Sequence, residues 1–454
     1  MIYSSLLFIY IFLPVSVVFY YFMPRKFSET VLLILSIVFC ALSGGYFLIL
    51  FSACTVLNYV LGILSGGKGK ARIIFTVIGI ILNMATMFLI RTQIPDTLIK
   101  VTGIPKNFFP LGISFLSLSA SGYLIDVYRK KIEPEKNMIL FGLYMMFFPV
   151  IVFRPLMRYD KFRKAVLKRK YNISFVGKGL IIFVKGLSKK VICADNLYML
   201  YTDVKSIGTE NLSVINAWIG CISYIFCLYF TFSGLSDMCR GTAMCFGIKL
   251  QKDFNYPMFS SRIRYFSAKW HVTAVRWFRH HLTKPLALCT SHVWLRNIVF
   301  IFAWGLFGFW YGLNAGSALW GILMGISMVI EHYIRNRKML KATGVLYTSV
   351  FILIFSVFLS SDNVPMALQY LFAMAGGNRI LADSVTIYFM KCYLVAMIVI
   401  MYASTDLFRN MLNSSVRVQR IVSAVTPFVT LALLIVCTAF ISDSGVSDIM
   451  IMRL

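Results

Sequence analysis

The sequence predicts an all-α protein, a polytopic bundle of transmembrane helices with roughly a dozen spans and with re-entrant and interfacial helices around a central cavity. Three observations carry that expectation. Hydrophobic residues make up 59% of the 454-residue chain and charged residues only 14%, whereas soluble domains run near a quarter charged. Mean hydropathy is +0.79. Uninterrupted apolar runs also recur inside stretches of about twenty residues, the length that crosses a hydrocarbon core as a helix.

In chain order, the candidate spans are residues 4–23, 31–42, 46–64, 73–90, 109–127, 138–153, 176–193, 217–232, 295–313, 315–332, 346–359, 387–404 and 421–441. The first has no basic region before it and no small-residue cleavage pattern after it, so it reads as a retained span. Several segments are short or broken by Pro and Gly. Asn107-Phe-Phe-Pro110-Leu-Gly112-Ile-Ser114 and Phe147-Phe-Pro149 are of this kind, and such segments usually line a cavity inside a membrane protein. No soluble domain and no internal repeat is visible. The chain reads as a single integral membrane domain over 1–454, with a core over 1–335 and C-terminal transmembrane helices over 336–454.

The net charge of +28, from 45 Lys and Arg against 17 Asp and Glu, would suggest nucleic acid in a soluble protein. In a membrane protein it is first a topology signal, because cytoplasmic loops retain Lys and Arg. No nucleic-acid partner is expected, and the lipid bilayer is the expected surroundings. The dense groups are Lys68-Gly-Lys70-Ala-Arg72, Arg129-Lys130-Lys131, 158–170 and Arg335-Asn-Arg337-Lys338. Of these, 158–170 reads as a surface helix on an anionic leaflet. The ten cysteines are scattered without a C-x-x-C pair and read as small buried hydrophobes. No metal constellation is visible.

Residues 259–290 are too charged to span. Read as one helix, they place Arg262, Lys269 and Arg276 on one stripe, Phe266, Trp270 and Trp277 on the next, and His271 on a third. Such a helix can lie at the interface or floor a polar cavity. Asp126 and Asp237 each follow an apolar run, where a carboxylate is costly and tends to be paired or functional. For Asp237, a position near a helix N-terminus after Ser233-Gly234 is the alternative to a site role.

Several stretches, taken in order, resemble the membrane-bound O-acyltransferases, in particular the branch that O-acetylates alginate and passes D-alanine to teichoic acids. They are the opening apolar run, Pro110-Leu-Gly-Ile-Ser114-Phe, Tyr123-Leu-Ile-Asp126-Val-Tyr128-Arg129, and Lys185-Gly186 through Lys190. Tyr229-Phe-Thr-Phe232-Ser-Gly-Leu-Ser-Asp237, Asn255-Tyr-Pro257, Trp270-His271, Trp277-Phe-Arg279 and Trp310-Tyr311-Gly312 follow. Each is weak alone; the shared order is what is specific.

The resemblance implies a membrane funnel in which a histidine activates a hydroxyl toward a thioester-borne acyl group. The donor would be an acyl-CoA or acyl-carrier protein. The acceptor would be an extracytoplasmic polysaccharide or a secondary acyltransferase serving it. No bound cofactor is implied. A hydroxyl is a poor nucleophile unless a base takes its proton, and imidazole suits that task near neutral pH.

The likeness also marks departures. The Trp-His-Gly triplet that carries the family's catalytic histidine reads Trp310-Tyr311-Gly312 here, and a phenol is mostly protonated at neutral pH. Thr231 stands where an acidic residue is common, and Ser267 and Ala268 stand where a Trp-Arg pair is expected. His280 stands where an Asp follows, and Phe153-Arg154-Pro155 replaces a small-residue run. The candidate catalytic residues are His271 and Tyr311. Candidate cavity residues are Trp270, Lys269, Asn255, Asp237, Ser233, Arg279 and Trp310, while His280, His281 and His292 could supply a replacement base. Three readings stay open on the sequence alone: an O-acyltransferase, a non-catalytic homologue serving polysaccharide modification as a binding or export partner, and a lipid or glycan transporter.

Overall fold

A computed structural model describes residues 3–92, 112–334, 341–405 and 415–443. Among these the secondary structure is helical, and nine helices are long and apolar enough to cross a membrane. The protein is a multi-pass membrane protein. Its described residues fall into two compact units. One comprises Met1–Leu187 with Leu235–Lys252, the other Ser188–Gly234 with Asp253–Leu454.

In the first unit, Ser28–Ser43 (α1), Gly45–Ser65 (α2) and Ala71–Arg91 (α3) follow the predicted spans closely. Buried Asn58 on α2 and Asn83 on α3 exchange two side-chain hydrogen bonds of 2.9 and 2.8 Å. Each amide thereby finds its partner inside an apolar bundle, where an unpaired one would be costly. The basic loops are neighbours as well. Arg72 lies over the ring of Tyr128 at 4.8 Å, and Lys70 and Arg72 share a surface depression with Arg129 and Lys130. A common side of the membrane for these loops is what charge-directed insertion requires.

Ile113–Tyr128 (α4) places Asp126 at 2% exposure, with its Oδ2 3.0 Å from Arg158 Nε. This carboxylate is paired, as its cost predicted. The segment expected to span at 138–153 does not run through. Asn137 caps Met138–Met146 (α5) by accepting from the N–H groups of Ile139 and Leu140. The chain then breaks at Phe147 before a single turn, Phe148–Ile151, with Pro149 in its first positions. All of these turn residues are buried, as expected for an interrupted segment enclosed by protein. The other interrupted motif, 107–114, falls largely outside the described residues, as do Arg335, Arg337 and Lys338. The 158–170 segment does form a helix, Tyr159–Leu167, which buries Tyr159, Phe162 and Val166.

The 32-residue helix Val214–Cys245 (α6) extends well beyond the predicted span 217–232. Asp237 therefore sits inside a helix and not near its start. It belongs to the first unit, where its Oδ1 pairs with Arg240 Nη1 at 2.7 Å, one turn further on.

In the second unit, 259–290 is not one helix. Ile263–Lys269 (α7) ends at Trp270, whose backbone is extended; His271 turns left-handed with φ 43°, and Val272–Phe278 (α8) starts afresh. The seven-residue stripes read from the sequence are therefore cut at Trp270-His271, and the residues on either side face different directions. Helix α7 starts against Glu331, whose carboxylate accepts the N–H groups of Ile263 and Arg264 at 2.8 and 3.1 Å. These are donors that a helix start leaves without an intrahelical partner.

Val293–Gly312 (α9) and Ala315–Tyr333 (α10) form an antiparallel hairpin. Leu313, left-handed with φ 51°, ends the first helix, and Asn314 opens the second with a capping box to Ser317. A Cβ on Gly308 would come within 2.2 Å of the Ser317 carbonyl oxygen, and one on Gly321 within 2.1 Å of the Trp304 carbonyl oxygen. The backbones touch where these glycines lie, on the helix pair that carries Tyr311. The later helices Ser384–Ala403 (α11) and Val416–Asp443 (α12) are mostly exposed along their length, as lipid-facing spans are.

Candidate active site

Asp253 and His271 form the centre of the site. His271 Nδ1 lies 3.1 Å from Asp253 Oδ2, and the two side chains are 1% and 0% exposed. A carboxylate accepts and does not donate, so this contact places the imidazole proton on Nδ1 and makes Nε2 the basic nitrogen. The second carboxylate oxygen accepts the backbone N–H of Thr273 at 2.7 Å, and the Asp253 carbonyl accepts the N–H of Val272 at 2.9 Å.

These bonds clamp the chain on both sides of a left-handed histidine. A residue other than glycine in this region costs about 1–3 kcal/mol and persists only where its surroundings over-determine it. Here Asp253 supplies that constraint through three separate contacts. The left-handed turn swings the imidazole off the helix axis and into a box of rings.

The box comes from three elements. Phe254 contacts the imidazole at a centroid distance of 4.6 Å and Phe232, on α6, at 4.9 Å. Tyr311, on α9, stands nearly perpendicular to it at 5.6 Å and 84°. The Tyr311 ring is backed by Phe307 and Trp320. The two residues expected to be catalytic therefore meet, although they are forty positions apart in the chain.

The expected cavity residues divide. Trp270 is buried in the box. Lys269 ends α7 and accepts the Asn255 backbone N–H at 3.0 Å, but the Asn255 side chain is exposed. Ser233 accepts from Lys189 Nζ at 3.0 Å. Trp310 packs against Phe278 and Phe307. Arg279 lines a separate cavity. Asp237 lies in the first unit with Arg240. Sequence reasoning missed Asp253 and Phe254. The available signal was a carboxylate directly before Phe254 in a chain with only 17 acidic residues, because such groups are rarely left where they have no partner.

No family model matches the chain. It is 30% identical over 346 residues to the probable alginate O-acetylase AlgI of Pseudomonas aeruginosa, a match that takes in 73% of this chain and 66% of that protein. The chain belongs to the membrane-bound O-acyltransferase family. It is also 28% identical over 429 residues to the peptidoglycan O-acetyltransferase of Helicobacter pylori, covering 84% of this chain and 81% of that protein. To the teichoic acid D-alanyltransferase of Bacillus subtilis it is 26% identical over 250 residues, 52% of this chain and 62% of the relative. In this member of the family, the clamp at Asp253 and the ring box around His271 are the features that bear on chemistry.

Proposed function

We propose that this protein transfers an acyl group of acetyl type from a thioester donor to a hydroxyl of an extracytoplasmic polysaccharide or other cell-envelope polymer. The observation that supports the reading best is the buried Asp253–His271 pair facing Tyr311. The named activities of the relatives, O-acetylation of alginate and of peptidoglycan, agree with it.

In this reading, His271 Nε2 takes the proton of the acceptor hydroxyl while Asp253 holds Nδ1–H and steadies the imidazolium that forms. The acceptor oxygen bonds to the thioester carbonyl carbon, the C–S bond breaks, and the departing thiolate takes the proton back from the imidazolium. Tyr311 acts as a donor to the carbonyl oxygen as charge builds on it, and not as a base. The aromatic walls keep bulk water from competing with the acceptor. The donor is an acyl-CoA or an acyl-carrier protein, and a secondary acyltransferase is a candidate acceptor.

The test is transfer of labelled acetyl from acetyl-CoA or an acetylated carrier protein by membranes carrying the wild-type chain, His271→Ala or Tyr311→His. Transfer by wild type that is lost in His271→Ala is the expected result. Unimpaired transfer by His271→Ala would remove His271 from the mechanism. Silence from wild type with activity in Tyr311→His would mean that the site lacks its base, and silence from both across several donors and acceptors would overturn the reading.

A further inference from the structure

Arg154 is a buried cation without a counter-charge among the described residues. It follows the enclosed turn Phe148–Ile151 in the first unit and is 5% exposed. Two contacts hold it: Nη1 donates to the Met145 carbonyl at 3.4 Å, and the guanidinium lies over the Tyr144 ring at 4.6 Å. Among the described residues no carboxylate pairs with it, and its buried Nη2 meets no hydrogen-bond acceptor. Two other cations with buried side chains in this protein are paired, Lys190 with Asp195 at 3.0 Å and Arg169 with Glu29 at 2.7 Å. The same neighbourhood holds a second orphan. The Tyr144 hydroxyl donates toward the Ser119 carbonyl at 3.2 Å, and the buried Ser119 hydroxyl has no partner among the described residues. Phe153-Arg154-Pro155 also stands where the resemblance implied a small-residue run, so this arginine is a departure made by this chain.

We propose that Arg154 binds a small carboxylate, of about the size of acetate, on the edge of its guanidinium formed by Nε and Nη2. A guanidinium does not shed its proton in a protein, so burial leaves the charge in place. The Tyr144 face offsets part of that cost. Neutral partners could satisfy the N–H groups, but a buried charge is compensated fully only by an opposite one. With Nη1 committed to Met145, the remaining edge presents two parallel N–H groups, the spacing that the two oxygens of a carboxylate match. The low exposure of Arg154 limits the ligand to a small group. That group has two sources: a free carboxylate, or the carboxyl of a sugar acid. Arg154 belongs to the first unit and His271 to the second, and binding is read without turnover, so the inference stands or falls separately from acyl transfer.

The test uses the purified full-length chain in neutral detergent at constant ionic strength. Binding of acetate and of glucuronate is measured by saturation-transfer NMR, which reads weak ligands directly. The wild-type chain is compared with Arg154→Met, which keeps the length of the side chain without its charge, and with Lys164→Gln, an exposed cation of the same unit. Binding weaker by about tenfold or more is expected in Arg154→Met, the loss of charge-assisted hydrogen bonds, and none in Lys164→Gln. Acetate bound in preference to glucuronate assigns a free carboxylate, and the reverse assigns a sugar acid. Failure of wild type to bind either probe, equal binding by Arg154→Met, an equal loss in Lys164→Gln, or displacement of the carboxylate by equimolar chloride would each overturn the proposal. If Arg154→Met does not fold, Arg154→Lys decides: it keeps the charge but not the two-pronged edge, and unweakened binding would overturn the assignment.

Discussion

Asp253 reaches His271 through both its side chain and its backbone, holding the imidazole nitrogen at 3.1 Å while its carbonyl fixes the N–H of Val272. The first contact sets the tautomer and the second sets the left-handed turn that aims the ring. A fold that used His271 only as core filling would not need the strained turn. Asp253→Asn keeps the volume and one acceptor for the Thr273 N–H but no longer fixes the Nδ1 proton. Acyl transfer should fall on the order of 10²- to 10⁴-fold, mainly in kcat, with an altered pH profile. A change below threefold in steady-state kinetics would assign Asp253 to folding alone.

The Tyr311 hydroxyl is the second test of the site. Tyr311→Phe keeps the ring packed on Phe232, Phe307 and Trp320 but removes the donor. Transfer should drop about a hundredfold in kcat with KM little changed, the pattern expected for a group that acts mainly as charge develops. An unchanged kcat would make Tyr311 a wall of the box and nothing more.

The α9–α10 contact predicts a structural lesion felt at the site. Gly321→Ala puts a methyl carbon against the Trp304 carbonyl, and the backbones must separate to admit it. A loss of about 1–3 kcal/mol in stability is expected, read as a lower midpoint of thermal unfolding in detergent. Transfer should weaken with it, because Tyr311 rides on the displaced helix. A wild-type midpoint would show that the hairpin yields elsewhere.

The Asn58–Asn83 pair is separable from the site. Asn58→Leu leaves the Asn83 amide facing an apolar side chain and should cost about 1–2 kcal/mol. Asn58→Leu with Asn83→Leu should recover part of that loss, since no orphaned amide remains. A double variant that is destabilised by the full sum of the two singles would show that the pair is not coupled.

Much of the fold was legible in the sequence because a hydrocarbon solvent enforces simple rules. A span needs about twenty apolar residues and satisfies its backbone internally, so α1, α2, α3, α9 and α10 could be placed from composition alone. The pairing of Asp126 was foreseeable on the same grounds, since an intramembrane carboxylate must find a partner. His271 and Tyr311 were legible through motif order, without any indication that their rings would face one another. Only the tertiary structure decided the rest. It broke 259–290 at His271 because Asp253 offers that turn bonds which a continuous helix would lack. It moved Asp237 to Arg240 and Arg279 to a separate cavity. A linear pattern records which residues share a helix face. It does not record where the backbone leaves the helix, because that is fixed by hydrogen bonds between segments distant in the chain.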